Sequence, residues 1–283
     1  MPENECKDSS FSKNLRFIKF YTCHNFNWWN NPIETITTMK KLVIIQNDYS
    51  GAGKTTLSRC MTRYLNHHKA QHQTLVLSDN EGDASGAQAW IDPSSLTLND
   101  FVAHLDSSSI SILEISTGLG DFFNRFYQGH ELPELLHEIG VETTVVIPVT
   151  SEPDSHDAIV QAAEVFSDNV QYTVAHLITS SYEDDEGTWD RSYAARVMDM
   201  FEAVELHIPE LGFQAEHLIR AKHSDLAEVL LEESPEETYG KDFSKWYSRV
   251  ESQIDSARNF LFGDQFVAIS TPAGKKSRKL ARA

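Results

Sequence analysis

Cysteine is sparse in this chain: three residues, Cys6, Cys23 and Cys60, lie far apart among 283, and no Cys-x-x-Cys pair occurs. That spacing supports neither a thiolate zinc site nor a disulfide framework, and a reduced, cytoplasmic setting is expected. Long apolar runs are missing too. No stretch reaches the roughly 18 apolar residues that would cross a bilayer, and the first residues lack the basic start and apolar core of a secretion signal. Positive charge is in short supply: 24 Lys and Arg face 42 Asp and Glu, for a formal net charge of −18. Such a surface argues against broad, non-specific binding of nucleic acid. The exception is the tail, where Lys275, Lys276, Arg278, Lys279 and Arg282 form the one clear cationic cluster. It is a candidate contact for DNA, RNA or an acidic partner, and equally a solubilising end without fixed structure. Twelve histidines are scattered along the chain. His67 and His68 fall late in a helical segment, where cations suit the dipole, and none of the twelve reads as a metal ligand.

What is present concentrates in residues 42–56. Leu42 to Ile45 is an unbroken β-favouring apolar run, as expected of a central parallel strand covered on both faces. Ser50, Gly51, Ala52 and Gly53 follow, small residues that let backbone N–H groups close around phosphate oxygens. Lys54 then supplies a cation for the β and γ phosphates, and the hydroxyl of Thr55 suits Mg²⁺; Thr56 continues the loop into a helix. Leu57, Met61, Tyr64 and Leu65 recur at helical spacing, which places the loop at an anion-favouring helix N-terminus. A G-x-x-x-x-G-K-[ST] loop starts on glycine, and Asp48 stands there instead. The strand, the Gly-Lys-Thr-Thr core and the amphipathic helix together separate this segment from an ordinary glycine-rich turn.

Length and a 40% hydrophobic content allow one large α/β domain or two small ones. Beyond residue 56 strands and helices alternate, the pattern of a mostly parallel sheet with helices on both faces in a three-layer α/β/α arrangement. Strands are expected at 74–77, 110–115, 143–149, 172–178 and 204–208. Helices are expected from Asp154 or Ser155 as cap through Phe166, over 190–203, near 214–231 and near 243–262, with residues 232–240 as an acidic link. The nucleotide domain is placed at 39–263, with 264–283 as a basic tail. Residues 1–38 are expected to be an extension of low order, with Met39 a candidate start. The alternative is that Leu15, Phe17, Ile18, Phe20, Trp28 and Trp29 dock on the domain or a partner. The acidic run Tyr182 to Gly187 misses the spacing of a calcium loop and reads as a solvated loop.

The order of these segments, from about residue 40 to residue 212, resembles the MinD/ParA family of P-loop ATPases. Tyr49-Ser50-Gly51-Ala52-Gly53-Lys54-Thr55 is similar to the family's Lys-Gly-Gly-x-Gly-Lys-Thr loop. Asp79 and Glu81 hold the places of its Asp-x-Asp motif after the second strand, and Glu114 to Asp121 looks like its Asp-x-x-x-Gly-Leu-Gly-Asp strand end. Val145 to Asp157 and Ile208-Pro209 resemble its later proline-bearing strand ends. The resemblance implies ATP and Mg²⁺ as ligands, Thr55 and, through water, Glu114 or Asp79 around the metal, and Asp79 or Glu81 positioning a water. It also implies an ATP-dependent homodimer and slow turnover used as a switch in positioning, partition or mobilisation of DNA or other cargo. Three departures stand out. The signature lysine that reaches a partner's phosphates falls at Tyr49, which cannot deliver that charge. Glu114 replaces an aspartate and adds a methylene. Thr179 or Ser180 stands where an adenine-reading asparagine is usual. Ordinary strand-end acids at turns remain the alternative for Asp79 and Glu81, and Asp121 reads equally as a helix cap. A P-loop small-molecule kinase or ligase, with the acids at 79, 81 and 121 holding an acceptor, and a regulator without hydrolysis are the other two functions open at this point.

Overall fold

A computed structural model describes residues 39–178, 189–264 and 266. Its centre is one seven-stranded sheet: β1 Lys40–Ile45, β2 His72–Leu77, β3 Ala89–Ile91, β4 Ile110–Ile115, β5 Val141–Val149, β6 Gln171–Leu177 and β7 Val204–Ile208. The strand order is β3-β2-β4-β1-β5-β6-β7, and every pairing is parallel. Side chains alternate across a strand, so the apolar run of β1 feeds two cores. Leu42 and Ile44 enter one core, and Val43 and Ile45 the other. A strand buried on both faces needs apolar residues at every position, which is why no alternation shows in its sequence.

Helices complete a three-layer α/β/α P-loop NTPase fold. One face carries α2 Leu98–Asp106, α3 Gly120–Gly129, α4 Leu132–Glu138, α5 Asp157–Phe166 and α6 Tyr193–Met200, which contribute Phe101, Phe123, Leu132, Ile159 and Met198 to its core. The other carries α1 Lys54–His67, α7 Phe213–Ala221, α8 Leu226–Val229, α9 Pro235–Ser256 and α10 Arg258–Phe262. There Met61, Ile219, Phe243, Trp246 and Leu261 pack together. β1 lies between β4 and β5; its own connection runs past β4 to β2, whereas that of β4 runs past β1 to β5, so the C-terminal ends of this neighbouring pair open at the switch point where such sheets bind ligands.

Several local expectations change. β3 and α2 were not expected; a three-residue edge strand is too short to carry a periodic signal. The helix expected over 214–231 divides into α7 and α8, because Asp225 and Glu228 form a reciprocal capping box that starts a new helix. The acidic link is partly helical: α9 begins at Pro235 and kinks at Gly240, whose φ is 78°. Neither Asp154 nor Ser155 caps α5. Ser155 turns inward instead, its hydroxyl donating to Glu152 O at 2.7 Å and accepting from Thr150 N at 3.1 Å. Ser192 caps a shorter α6. The expectations for residues 1–38, 179–188 and the tail Lys275 to Arg282 lie outside the described residues. None of the described helices is long and apolar enough to cross a membrane.

The β6–β7 edge carries an acid-sensitive contact. Glu205 Oε2 lies 3.3 Å from His176 Nε2, and Trp189 Nε1 donates to Oε1 at 2.9 Å. The imidazole, helped by the indole, holds this carboxyl below its ordinary value against the opposing effect of burial. The unfolded chain therefore binds the proton more tightly, and stability contributed by Glu205 is present above the ordinary carboxylate value and lost as pH falls through the depressed one. Denaturant melts from about pH 5 to about pH 3 should show a shallower loss for Glu205→Gln than for the parent protein. Parallel curves would discount this contact.

Candidate nucleotide site

The loop between β1 and α1 is shaped from both ends. Gly53 is the N-cap of α1 in the left-handed region, with φ 81° and ψ 20°. A Cβ there would lie 2.0 Å from Leu177 Cδ2, so glycine meets both a backbone and a packing demand. No side chain caps this helix end and no acid stands in its first turn, which leaves the first-turn amides and the dipole directed at an anion. Asn47 anchors the loop's start: its amide donates to Pro148 O at 2.7 Å and Ser155 O at 3.0 Å, while Oδ1 accepts from Tyr49 N at 2.8 Å. Ser50 and Gly51 are exposed and Ala52 is buried.

Lys54 is buried, and its ammonium donates to Asn47 O at 2.6 Å and Thr117 Oγ1 at 2.8 Å. Burial lowers its pKa, with Glu114 and Asp48 acting the other way. Thr55 donates its hydroxyl to Glu114 Oε1. Glu114 is buried at the end of β4, and burial raises its pKa against the pull of the Thr55 and Ser58 hydroxyls and of the Arg59 and Lys54 cations. Its other oxygen, Oε2, is buried without a hydrogen-bond partner among the described residues. A hydroxyl and an incompletely partnered carboxylate are hard oxygen donors, and that donor set fits Mg²⁺.

Lys54, Thr55 and Glu114 are thus brought together, whereas Asp79 and Glu81 are exposed, and neither side chain has a hydrogen bond among the described residues. In that loop Asp83 is the structured acid, accepting from Ser78 Oγ at 2.6 Å and from Asn80 Nδ2 at 3.3 Å. Thr56 is half-buried in the first turn of α1. Sequence reasoning missed four participants: Asn47, Thr117, Arg59 and Asp48. Arg59, one helical turn beyond Thr55, ties α1 to the loop after β2 by donating to Gly86 O at 2.9 Å and to Ser85 O. The helical spacing i, i+4 from Thr55 was the available signal.

Asp48 changes the reading of the loop's irregular first position. Its Oδ1 accepts from Gly118 N at 3.0 Å and Gly120 N at 3.2 Å, so it caps α3 from another loop. Asp121, expected as a cap, is exposed in the first turn of that helix. A Cβ at Gly120 would stand 2.6 Å from Asp48 Oδ2, so glycine admits this approach. The carboxylate also sits close enough to Lys54 to affect its charge, and so opposes an incoming polyphosphate. Asp48→Asn keeps an acceptor for both amides and removes the charge. It should tighten nucleoside triphosphate binding about tenfold, equivalent to ~1.4 kcal/mol, with little change in the unfolding midpoint. Asp48→Ala should in addition lose about 1 kcal/mol of stability through the missing cap. Calorimetric titration and denaturant melts of both variants check this, and unchanged affinity in Asp48→Asn would refute it.

These features define a P-loop nucleoside-triphosphatase fold with its phosphate loop at the end of the central strand. No family model and no curated protein matches the chain. Among solved structures, it is similar to the MinC:MinD cell division protein complex of Aquifex aeolicus, at 15% identity over 76% of this chain and 96% of that one, TM-score 0.42. It is also similar to the MinD cell division protein of Aquifex aeolicus, at 13% identity over 76% and 97%, TM-score 0.43. FlhF complexed with GMPPNP and Mg²⁺ matches at 11% identity over 63% and 68%, TM-score 0.33.

Proposed function

We propose that this protein is a MinD/ParA-type ATPase that uses Mg·ATP binding and slow hydrolysis as a switch for positioning, partition or mobilisation of DNA or another cargo. The observation that supports it most is the buried ammonium of Lys54, held by Asn47 O and Thr117 Oγ1 directly beside an uncapped helix N-terminus. A cation so placed would exchange its two neutral acceptors for phosphate oxygens when nucleotide enters, freeing Thr117 in the β4–α3 loop. Ser50, Gly51, Ala52, Gly53, Thr55 and Thr56 provide the amides that surround the phosphates. Thr55 and, through water, Glu114 or Asp79 would hold Mg²⁺, which supplies neutralisation of charge on the β and γ phosphates. Asp79 or Glu81 would position the attacking water. An ATP-dependent homodimer and a DNA contact through the basic tail belong to the same reading.

Tyr49 favours a second reading, a nucleotide-binding regulator without hydrolysis, because no cation stands where a partner's phosphates would be reached. The two separate in one experiment: Mg·ATP binding and hydrolysis with size-exclusion light scattering in the same buffer, for the parent protein and Lys54→Ala. Binding with slow, Lys54-dependent turnover and an ATP-dependent dimer supports the switch. Binding by a constant monomer without turnover supports the regulator, and an absence of binding rejects both. Deletion of residues 275–283 should weaken DNA binding and its salt dependence.

A further inference from the structure

We propose that His67, His68 and Glu251 form a binding site for a divalent transition metal of the zinc type, separate from the nucleotide site. His67 ends α1 and His68 caps it, while Glu251 comes from α9, 184 residues further along the chain than His67. His67 Nδ1 and Glu251 Oε1 are 2.7 Å apart. One ligand atom from each of the three residues lies within 4.8 Å of the others. Tetrahedral ligands at zinc bond lengths of about 2.0–2.2 Å stand roughly 3.3 Å apart, so the ligand atoms are within reach of one ion once the exposed His67 ring rotates toward it.

The His68 ring is already oriented. It packs 4.5 Å from Tyr64 and meets Phe266 edge-on at 5.9 Å, and Tyr64 is itself fixed by donating its hydroxyl to Asp255 Oδ1 at 2.7 Å. The His67 ring stacks on His68 at 5.0 Å, 19° from parallel, and has to turn out of that stack for both imidazoles to meet one ion. Two imidazoles and one carboxylate suit borderline metals such as Zn²⁺ or Co²⁺ in preference to Mg²⁺. His67 and Glu251 also line a cavity of about 600 Å³ whose wall includes Glu232, Glu233 and Glu236. Those acids concentrate cations, and the two guanidinium groups of the same cavity are occupied, Arg63 by Glu232 O at 2.7 Å and Glu236 Oε2 at 3.4 Å and Arg59 by Gly86 O at 2.9 Å and Ser85 O. The cavity leaves the fourth coordination position to water or a small ligand. Thr55 lies at the other end of a 14-residue helix, about 18 Å away at 1.5 Å per residue.

Metal here would join the C-terminal end of α1 to α9, so binding stabilises the native state by linkage. The test uses the untagged full chain with Mg²⁺ in large excess, so that hard-cation sites are filled. Titration with Co²⁺ should give one equivalent of intense visible absorption, displaced by Zn²⁺. His67→Ala, His68→Ala and Glu251→Gln should each weaken that binding by at least about tenfold, whereas His137→Ala, an exposed histidine on another helix, should not. Zn²⁺ should raise the unfolding midpoint of the parent protein and not of Glu251→Gln, a conservative change that keeps the fold. The absence of a stoichiometric Co²⁺ site, or equal binding by the parent and the three variants, overturns the proposal.

Discussion

Lys54→Ala should lose nucleoside triphosphate binding by a factor of about 10² to 10³ while folding normally. The ammonium is buried and bonded to two neutral oxygens, Asn47 O and Thr117 Oγ1. In a complex it would face a phosphate, and truncating one partner of a buried charge pair costs about 2–5 kcal/mol of binding, each ~1.4 kcal/mol being tenfold. The free protein behaves differently. Burial lowers the pKa of Lys54, so this position disfavours the cation in the absence of phosphate. Removing it relieves that desolvation, which offsets the donor lost by Asn47 O in its buried position, while the exposed Thr117 takes water in exchange. The unfolding midpoint should therefore stay within a few degrees of the parent's. Calorimetric titration beside a thermal melt reads both quantities. A variant that binds as tightly as the parent would show that the loop takes no phosphate.

Gly53→Ala should fail in the opposite manner, losing stability as well as binding. A residue with a Cβ held at φ 81° costs about 1–2 kcal/mol. The new Cβ would also meet Leu177 Cδ2 at 2.0 Å. Leu177 is half-buried at the end of β6 and packs on the core beneath α1, so it rotates away only by giving up part of that packing. Together these place the loss near 2–4 kcal/mol, visible in denaturant melts. Because Gly53 orients the first amides of α1, triphosphate affinity should fall with stability. Gly51→Ala is the informative comparison: φ is 82° but nothing lies within 4 Å of its Cβ, so only the backbone penalty remains. Equal losses at the two positions would remove Leu177 from the account.

The phosphate loop was legible because its features are local. An apolar run, a Gly-x-Gly-Lys-Thr-Thr string and a 3.6-residue periodicity all fall within 24 residues, 42–65. Strands 110–115 and 204–208 have the bounds expected of them, and 143–149 falls within two residues of its observed start; 110–115 and 143–149 announce themselves in composition because they are buried on both faces. Helices 213–229 and 235–256 were misdivided because a capping box and a glycine kink are decided by single residues inside otherwise continuous amphipathic patterns. Asp48 was legible only as an irregularity. Its role depends on two backbone amides some 70 residues away, at Gly118 and Gly120.

By itself, then, the sequence determined that the chain builds a parallel sheet and presents a phosphate loop where the first strand meets a helix, because both rest on short-range periodicity and on glycine's backbone freedom. The tertiary structure alone decided that Asn47 and Thr117 hold Lys54, that Glu114 is buried with one oxygen unpartnered, and that Glu251 meets His67 and His68. The Thr117, Glu114 and Glu251 contacts arise only when β4 pairs beside β1 and α9 packs against α1, whereas Asn47 O reaches Lys54 within its own loop. No local pattern encodes which distant residues such packing brings into hydrogen-bond range.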